Sequence, residues 1–310
     1  MALGTAGQTI TTAANFIPEL WSDEVIAGYK KNLVLGNLVT KINHSGKKGD
    51  TIHIPAPVRG SANVKAANTQ VVLNGDTHGT INLSIDKHYE YSVVIEDIVE
   101  VQALSSMRRF YTDDAGYALA TQVDNDIFAL CEGLQGGTVG GTGTSLWEKA
   151  VIGGDGTTDF VGGTSNASDI SDAGIRGMIL KLDNADVPMN DRCLVVPPIA
   201  MNDMLGINRF TEQQFIGDGS AIKTGKIGSI YGVDVFVSSN CPTVTTTNSV
   251  SVRIGAFLQK DALALVEQMG VRSQTQYKQE YLGDLFTSDT LYGVGELRNL
   301  SGLAFAVPAA

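Results

Sequence analysis

Cysteine is nearly missing from this chain: three residues, Cys131, Cys193 and Cys241, lie far apart. An odd, scattered set argues against a disulfide framework or a zinc cage. Reduced thiols packed as small hydrophobes are the expectation. Histidine is as scarce. His44, His53, His78 and His88 include no pair at the spacing of a zinc motif, so they are expected on a surface or a strand face. Basic residues are outnumbered, 22 Lys and Arg against 33 Asp and Glu, for a net charge of −11. Sequence-independent binding to nucleic acid needs Lys and Arg on phosphates. The balance points away from tight binding, though not from life beside nucleic acid. No apolar run approaches the roughly 18 residues that would span a bilayer. The opening Met1-Ala2-Leu3-Gly4-Thr5 has neither a basic n-region nor an apolar h-region. That predicts no signal peptide and a soluble chain that stays in the cytoplasm that made it.

Motifs for chemistry are missing too. Gly219-Ser220-Ala221-Ile222-Lys223-Thr224-Gly225-Lys226 invites a phosphate-loop reading and fails it. The first glycine is one residue too distant, and Ile227 stands where a Ser or Thr would hold a metal. The glycines at 136–143 contain no GxGxxG after a strand. Asp113-Asp114 and Asp124/Asp126 are carboxylate pairs, but residues two apart do not share a helix face, and a solvated or salt-bridged face is expected. No local Ser/His/Asp or Cys/His constellation and no calcium loop appear. No catalytic, cofactor or metal residue is assigned.

What the sequence does hold is apolar material, 43% of 310 residues, enough to hide about 75% of the unfolded surface. Residues 1–15 read as a mobile tail. Pro18 and Glu19 suit a helix start, and Ile17, Leu20, Trp21, Val25 and Tyr29 predict a helix over 18–31. With Leu33 to Val39, broken by Gly36, this segment has no core of its own and must pack on something else. Thr51-Ile52-His53-Ile54-Pro55 alternates as a strand, which Pro55 and Pro57 confine to an edge. A polar stretch follows over 60–79.

The clearest pattern comes next. Ile81, Leu83, Ile85, Tyr89, Tyr91, Val93 and Ile95 fall on one strand face, opposite Asn82, Ser84, Asp86, His88, Glu90 and Ser92. Only Lys87 interrupts the apolar set. About 15 residues at period two would span roughly 50 Å, the diameter of the whole globule. A strand that long after a long polar loop is implausible inside a compact domain. Residues 47–92 therefore read as a two-stranded arm leaving the body. Such a hairpin is marginal alone and needs a neighbour to lie on. Ile52, Ile54, Ile81, Leu83, Ile85, Lys87 and Tyr89, with Trp21, are the candidate subunit-contact residues, Lys87 as a guard against stray edge pairing.

Leu104, Met107, Phe110, Tyr111, Ala115, Leu119, Val123, Ile127 and Leu130 recur at threes and fours and predict a helix over 106–132, capped by Ser105 or Ser106 and ended by Gly133. The Gly- and Thr-rich stretch 133–166 is a linker or a glycine-turned β-excursion. An α+β unit follows: helix 171–184, strand 193–196, helix 198–206, a flexible segment 217–229, strand 233–237, a Thr-rich turn 243–249 and strand 250–256. From Ala262 the chain reads β to its end, and these strands are expected to return to the first domain.

Three segments bear on family: Tyr89-Glu90-Tyr91-Ser92-Val93-Val94-Ile95-Glu96-Asp97 leading to the helix that ends Asp124-Asn125-Asp126-Ile127-Phe128-Ala129-Leu130; Asp186-Val187-Pro188 with Arg192-Cys193-Leu194-Val195-Val196-Pro197-Pro198; and Gly228-Ser229-Ile230-Tyr231-Gly232-Val233-Asp234-Val235-Phe236-Val237. In this order they resemble the major capsid proteins of tailed bacteriophages, the Hong Kong 97-type fold, in its podovirus-like branch. The likeness covers about 16–305. It implies an α+β fold with an N-terminal arm at 1–46, an extended β-hairpin loop at 47–92, a peripheral domain at 93–167 and 263–310 with a long spine helix, and an axial domain at 168–262. It implies a structural subunit, not an enzyme, that forms hexamers and pentamers of an icosahedral shell. Scaffolding protein and portal would be assembly partners, a decoration protein a further one, and double-stranded DNA the packaged content, held without sequence-specific contacts and without a membrane. No cofactor follows. The place would be the virion, after assembly in the host cytoplasm. A cellular nanocompartment shell of the same fold is the alternative, and a soluble oligomeric enzyme with 47–92 as a lid the third reading.

Overall fold

A computed structural model describes residues 35–46, 48–58, 60–75, 78–98, 107–163, 167–207 and 228–309. The expected tail over 1–15, the helix over 18–31 with Trp21, the cap at Ser105 or Ser106 and the loop 219–226 lie outside the described residues. The helices are α1 (Leu35–Leu38), α2 (Met107–Leu130), α3 (Asp172–Asn184) and α4 (Pro198–Leu205). The strands are β1 (Thr40–Asn43), β2 (Thr51–Ala56), β3 (Gly79–Ser84), β4 (Lys87–Glu96), β5 (Val151–Ile152), β6 (Arg192–Val196), β7 (Ser229–Ile230), β8 (Val233–Val237), β9 (Thr243–Thr245), β10 (Ser251–Gln259), β11 (Leu263–Lys278), β12 (Gly283–Glu296) and β13 (Gly302–Pro308).

Helix α2 forms where the apolar residues recur every three to four. Ala115, Leu119, Ala120, Val123, Ile127 and Phe128 are buried along one side, the stripe of a helix laid on a sheet. The helix stops at Leu130 and tightens into a 3-10 segment, Cys131–Gly136. Gly133 fits because a Cβ there would come within 2.1 Å of Glu296 Oε1.

The sheet beneath α2 has four strands in the order β1-β11-β12-β4. β1 runs parallel to β11, and the other pairings are antiparallel. Its helix-facing side chains include Tyr89, Tyr91, Val93, Leu263, Leu265, Phe286 and Tyr292, all in one apolar cluster with α2.

A second, seven-stranded sheet runs β5-β13-β10-β6-β8-β7, with β9 beside β10. One face carries Leu194, Val196, Phe257, Leu303, Phe305 and Val307 against α3 and α4. The other carries Cys193, Val195, Ala256, Ala304 and Ala306 toward the α2 cluster. Helix α3 starts where Ser171 accepts a hydrogen bond from Gly174 N at 3.0 Å. Arg192, buried on β6, pairs with Asp183 at 2.8 Å and donates to the carbonyls of Val187 and Pro188, which pins the connection between α3 and β6.

One expectation changes here. β11 and β12 do join β4 and β1, but β13 does not. It lies between β5 and β10 in the other sheet, so a unit cut at 168–262 would omit two of that sheet's strands. The physical reason is that Leu303-Ala304-Phe305-Ala306-Val307 is apolar at every position. Such a run suits a strand covered on both faces. Of the two alternatives for the Gly-rich stretch after α2, a linker or a glycine-turned β-excursion, the second fits, since β5 lies within it. Its glycines let backbone pack on backbone: a Cβ at Gly174 of α3 would lie 1.9 Å from Gly153 O. Glu132, buried, accepts from the amides of Gly140, Gly141 and Trp147.

Candidate assembly arm and its anchorage

The hairpin forms, but shorter than the alternation predicts. β2 and β3 pair antiparallel from Thr51↔Ser84 to Ala56↔Gly79. The pairing then stops, and Ile85 N donates to Asp50 O at 2.7 Å. After a bend at Ile85-Asp86, β4 begins at Lys87 and pairs with β12 over its whole length, Tyr292↔Lys87 to Gly283↔Glu96. The single strand expected over 81–95 is therefore two strands in two sheets. The bend keeps the odd-numbered side chains in phase, so the period of two runs through it unbroken. Leu83 and Ile85 point at the hairpin's own seat, whereas Tyr89, Tyr91 and Val93 point at α2.

That seat belongs to the same chain. Leu83 and Ile85 are buried with Ala264 and Val266, and Ile42, Ile52, Ile54, Ile81 and Leu291 pack around them. The contact is close because β12 offers glycines: a Cβ at Gly293 would stand 2.2 Å from Ser84 O, and one at Gly295 2.3 Å from Leu83 Cδ2. Of the candidate subunit-contact residues, Leu83 at 2% and Ile85 at 7% exposure are spent within the chain, and Ile52, Ile54 and Ile81 are half-buried there. Tyr89 packs against Tyr292 with ring centroids 5.9 Å apart. Lys87 stands on β4, the edge strand of its sheet, and its Nζ lies 3.6 Å from Asp126 on α2. Trp21 lies outside the described residues.

Asp126 also accepts from Tyr292 OH at 2.7 Å, so the salt-bridged face expected for the 124/126 pair holds for this member. It fails for Asp124, which is fully buried. Its Oδ1 accepts from Leu35 N at 3.2 Å, one of the amides a helix start leaves over.

Beyond the paired strands the arm carries apolar residues without cover. Val58, Val64, Val71, Val72 and Leu73 are exposed, Val64 at 98%. Residues 57–78 contain no strand among those described. The two legs are tied by Asn63 Nδ2 donating to Asn74 Oδ1, and by Asn74 Nδ2 donating to Ser61 O. Asn68 turns the tip with φ 63°, a left-handed geometry that asparagine tolerates. Sequence reasoning passed over these five side chains because they follow no period.

A second exposed apolar group sits at the far end of the four-stranded sheet: Val94, Ile98, Tyr277, Tyr281 and Leu282. Acids surround it. Tyr277 OH donates to Asp97 Oδ2 at 2.9 Å, Asp97 N to Leu282 O at 3.0 Å, and Glu96 and Asp284 flank the same strand ends.

The chemistry-bearing residue types are accounted for otherwise. Cys131, Cys193 and Cys241 are buried and free, and they converge on the α2 cluster. Burial pushes all three thiols up, Cys193 and Cys241 to about 12, so they stay protonated and weakly reactive. His53 meets Asn82, and His88 meets Asp289 at 2.9 Å. Among the described residues no group of His, Cys, Asp and Glu is arranged to hold a metal, and no helix is long and apolar enough to cross a membrane.

A family model described as "Phage capsid protein" matches residues 79–295. The chain belongs to that phage capsid protein family. The match starts at β3 and runs into the end of β12, so it holds the anchored strand of the arm, α2 and both sheets except β1 and β13. Solved structures carry the same fold, the Hong Kong 97 type. A chain of Mycobacterium phage Che8 is 22% identical with a TM-score of 0.69, over 88% of this chain and 90% of that one. The capsid of cyanophage P-SCSP1u is 17% identical with a TM-score of 0.67, over 90% and 89%. A virus-like particle from Pyrococcus furiosus is 10% identical with a TM-score of 0.57, over 93% and 98%. No curated protein matches by sequence. The capsid protein is thus a structural subunit of a phage shell.

Proposed function

We propose that this major capsid protein closes its shell by laying the tip of each arm, residues 57–78, on the acidic, apolar end of the four-stranded sheet of a neighbouring copy. The observation that carries this is the row of bare valines and leucine on a tethered tip. A near-fully exposed Val64 gains only when something covers it. Charge agrees. Residues 57–78 contain Arg59, Lys65 and His78 against one acid, Asp76, in a chain of net charge −11. The receiving end carries Glu96, Asp97, Glu280 and Asp284 around Tyr277, Tyr281 and Leu282. Complementary charge sets register and encounter rate more than affinity. Each contact is modest, and closure makes many act together.

In this reading, 48–84 is the extended loop, α2 the spine helix, and α3, α4 and their sheet the axial unit. Hexamers and pentamers enclose double-stranded DNA. A scaffold and a portal guide assembly, and a decoration protein is a further possible partner. A net negative subunit suits a container that later releases its genome. Among the described residues no group arranged to hold a metal supports the lid-bearing enzyme. A nanocompartment shell shares the fold and is separated by content: purified particles should hold DNA, not a cargo enzyme. The docking itself is tested by charge exchange. Lys65→Glu should lower shell yield on electron micrographs, and Lys65→Glu combined with Glu96→Lys and Asp97→Lys should restore part of it. No loss from the first change would sink the charge component of the docking.

A further inference from the structure

The arm tip holds the only Asn-Gly step in the sequence, Asn74-Gly75. Both residues are exposed and outside any strand. The space where a Cβ of residue 75 would sit is empty, and the Gly75 N–H takes part in no hydrogen bond among the described residues. Glycine leaves the backbone free to turn its nitrogen onto the preceding side chain, and asparagine is chemically labile for that reason. We propose that Asn74 is a self-modification site. The Gly75 nitrogen attacks Cγ of Asn74, a C–N bond forms, the Cγ–Nδ2 bond breaks, and the amide leaves as ammonia with the glycine proton. Water then opens the resulting succinimide to aspartate or isoaspartate. No oxidant or partner is needed.

The consequence lies in the tie between the legs. Asn74 Nδ2 donates to Ser61 O, and its Oδ1 accepts from Asn63. An aspartate keeps the second bond and loses the first, setting a carboxylate oxygen against a carbonyl with no proton between them. It also adds a second negative charge, beside Asp76, to a tip whose other charged side chains are Arg59 and Lys65. Resting on the docking read above, subunits that wait unassembled lose competence with age, and the same tie sets the pace by restraining the reacting side chain.

The full chain, kept soluble in mildly alkaline buffer, is digested at intervals and mapped by mass spectrometry, with isoaspartate marked by isoaspartyl methyltransferase. Asn74 should convert ahead of every other asparagine. Gly75→Ala should slow it roughly tenfold, because a Cβ restricts the backbone turn that ring closure needs. Asn63→Ala should speed it several-fold. An intact Asn74 while other asparagines convert, or a rate indifferent to residue 75, overturns the proposal. For the consequence, fresh Asn74→Asp protein with an unchanged melting curve should assemble several-fold less than wild type. Normal assembly by Asn74→Asp, where removal of the tip blocks shells, overturns the consequence and leaves the docking standing. Normal assembly by both overturns the docking, while the mass map still decides the modification.

Discussion

The two ends of the arm obey different physics although one hairpin contains both. At the base, Ile52, Ile54, Ile81 and Leu83 alternate, pair across strands and bury against Ala264 and Val266. That end is part of its own subunit's core and is stabilised by burial within the chain. At the tip, Val58, Val64, Val71, Val72 and Leu73 are just as apolar and stay uncovered. The legs there are joined by asparagine side chains in place of a ladder. The difference separates folding from assembly along one element. A change at the base should unfold, and a change at the tip should leave a folded subunit without a shell.

The largest expected effect tests the tip. Replacing residues 60–75 by a short turn should abolish shells on electron micrographs while the melting temperature of the subunit stays within a degree or two, since surface changes away from packed features cost little. Normal particles would end the distinction. Next comes the base. Leu83→Ala should lower stability by about 2–5 kcal/mol in denaturant titration, the loss expected of a leucine at 2% exposure. A loss under about 1 kcal/mol would mean the base is not core. At the junction, Lys87→Met should cost under about 1 kcal/mol, because the pair with Asp126 is partly exposed with 30% of the lysine side chain in contact with water. A larger loss would make this strut part of the anchorage.

The smallest effect is a pH dependence on β12, the strand paired with the one that follows the bend. Burial alone would raise the Asp289 carboxyl, but Arg272 and His88 together hold it below its ordinary value. A depressed carboxylate stabilises the fold above its unfolded value of about 4, and the stabilisation is lost as pH falls through the lower folded value. Asp289→Asn should flatten that acid limb slightly in pH-dependent melting, and an unchanged limb would remove Asp289 from the account.

Much of this was legible in the sequence. The stripe from Ala115 to Leu130 announced α2, with ends differing by one and two residues from 106–132. The strands expected at 51–55, 193–196 and 233–237 and the helices expected at 171–184 and 198–206 stand within one residue of β2, β6, β8, α3 and α4. The family was legible from the order of elements. Three features were not. The bend at Ile85-Asp86 preserves phase, so no periodic signal marks it. β13 changes sheets, and an all-apolar strand reads alike wherever it is buried. The tip valines lack a pattern because no surface of their own chain shapes one. Burial of Asp124 was hidden for a further reason: its partner, Leu35 N, is a backbone group 89 positions away.

Gly293 and Gly295 bring one more consequence. Where β12 could have borne two side chains it bears two hydrogens, and the arm rests in the resulting dent with its backbone nearly touching the sheet. A methyl group at either place would act as a wedge under a lever whose short end is Leu83 and whose long end is Val64. The pitch at which each subunit reaches outward is therefore held by what two residues leave out.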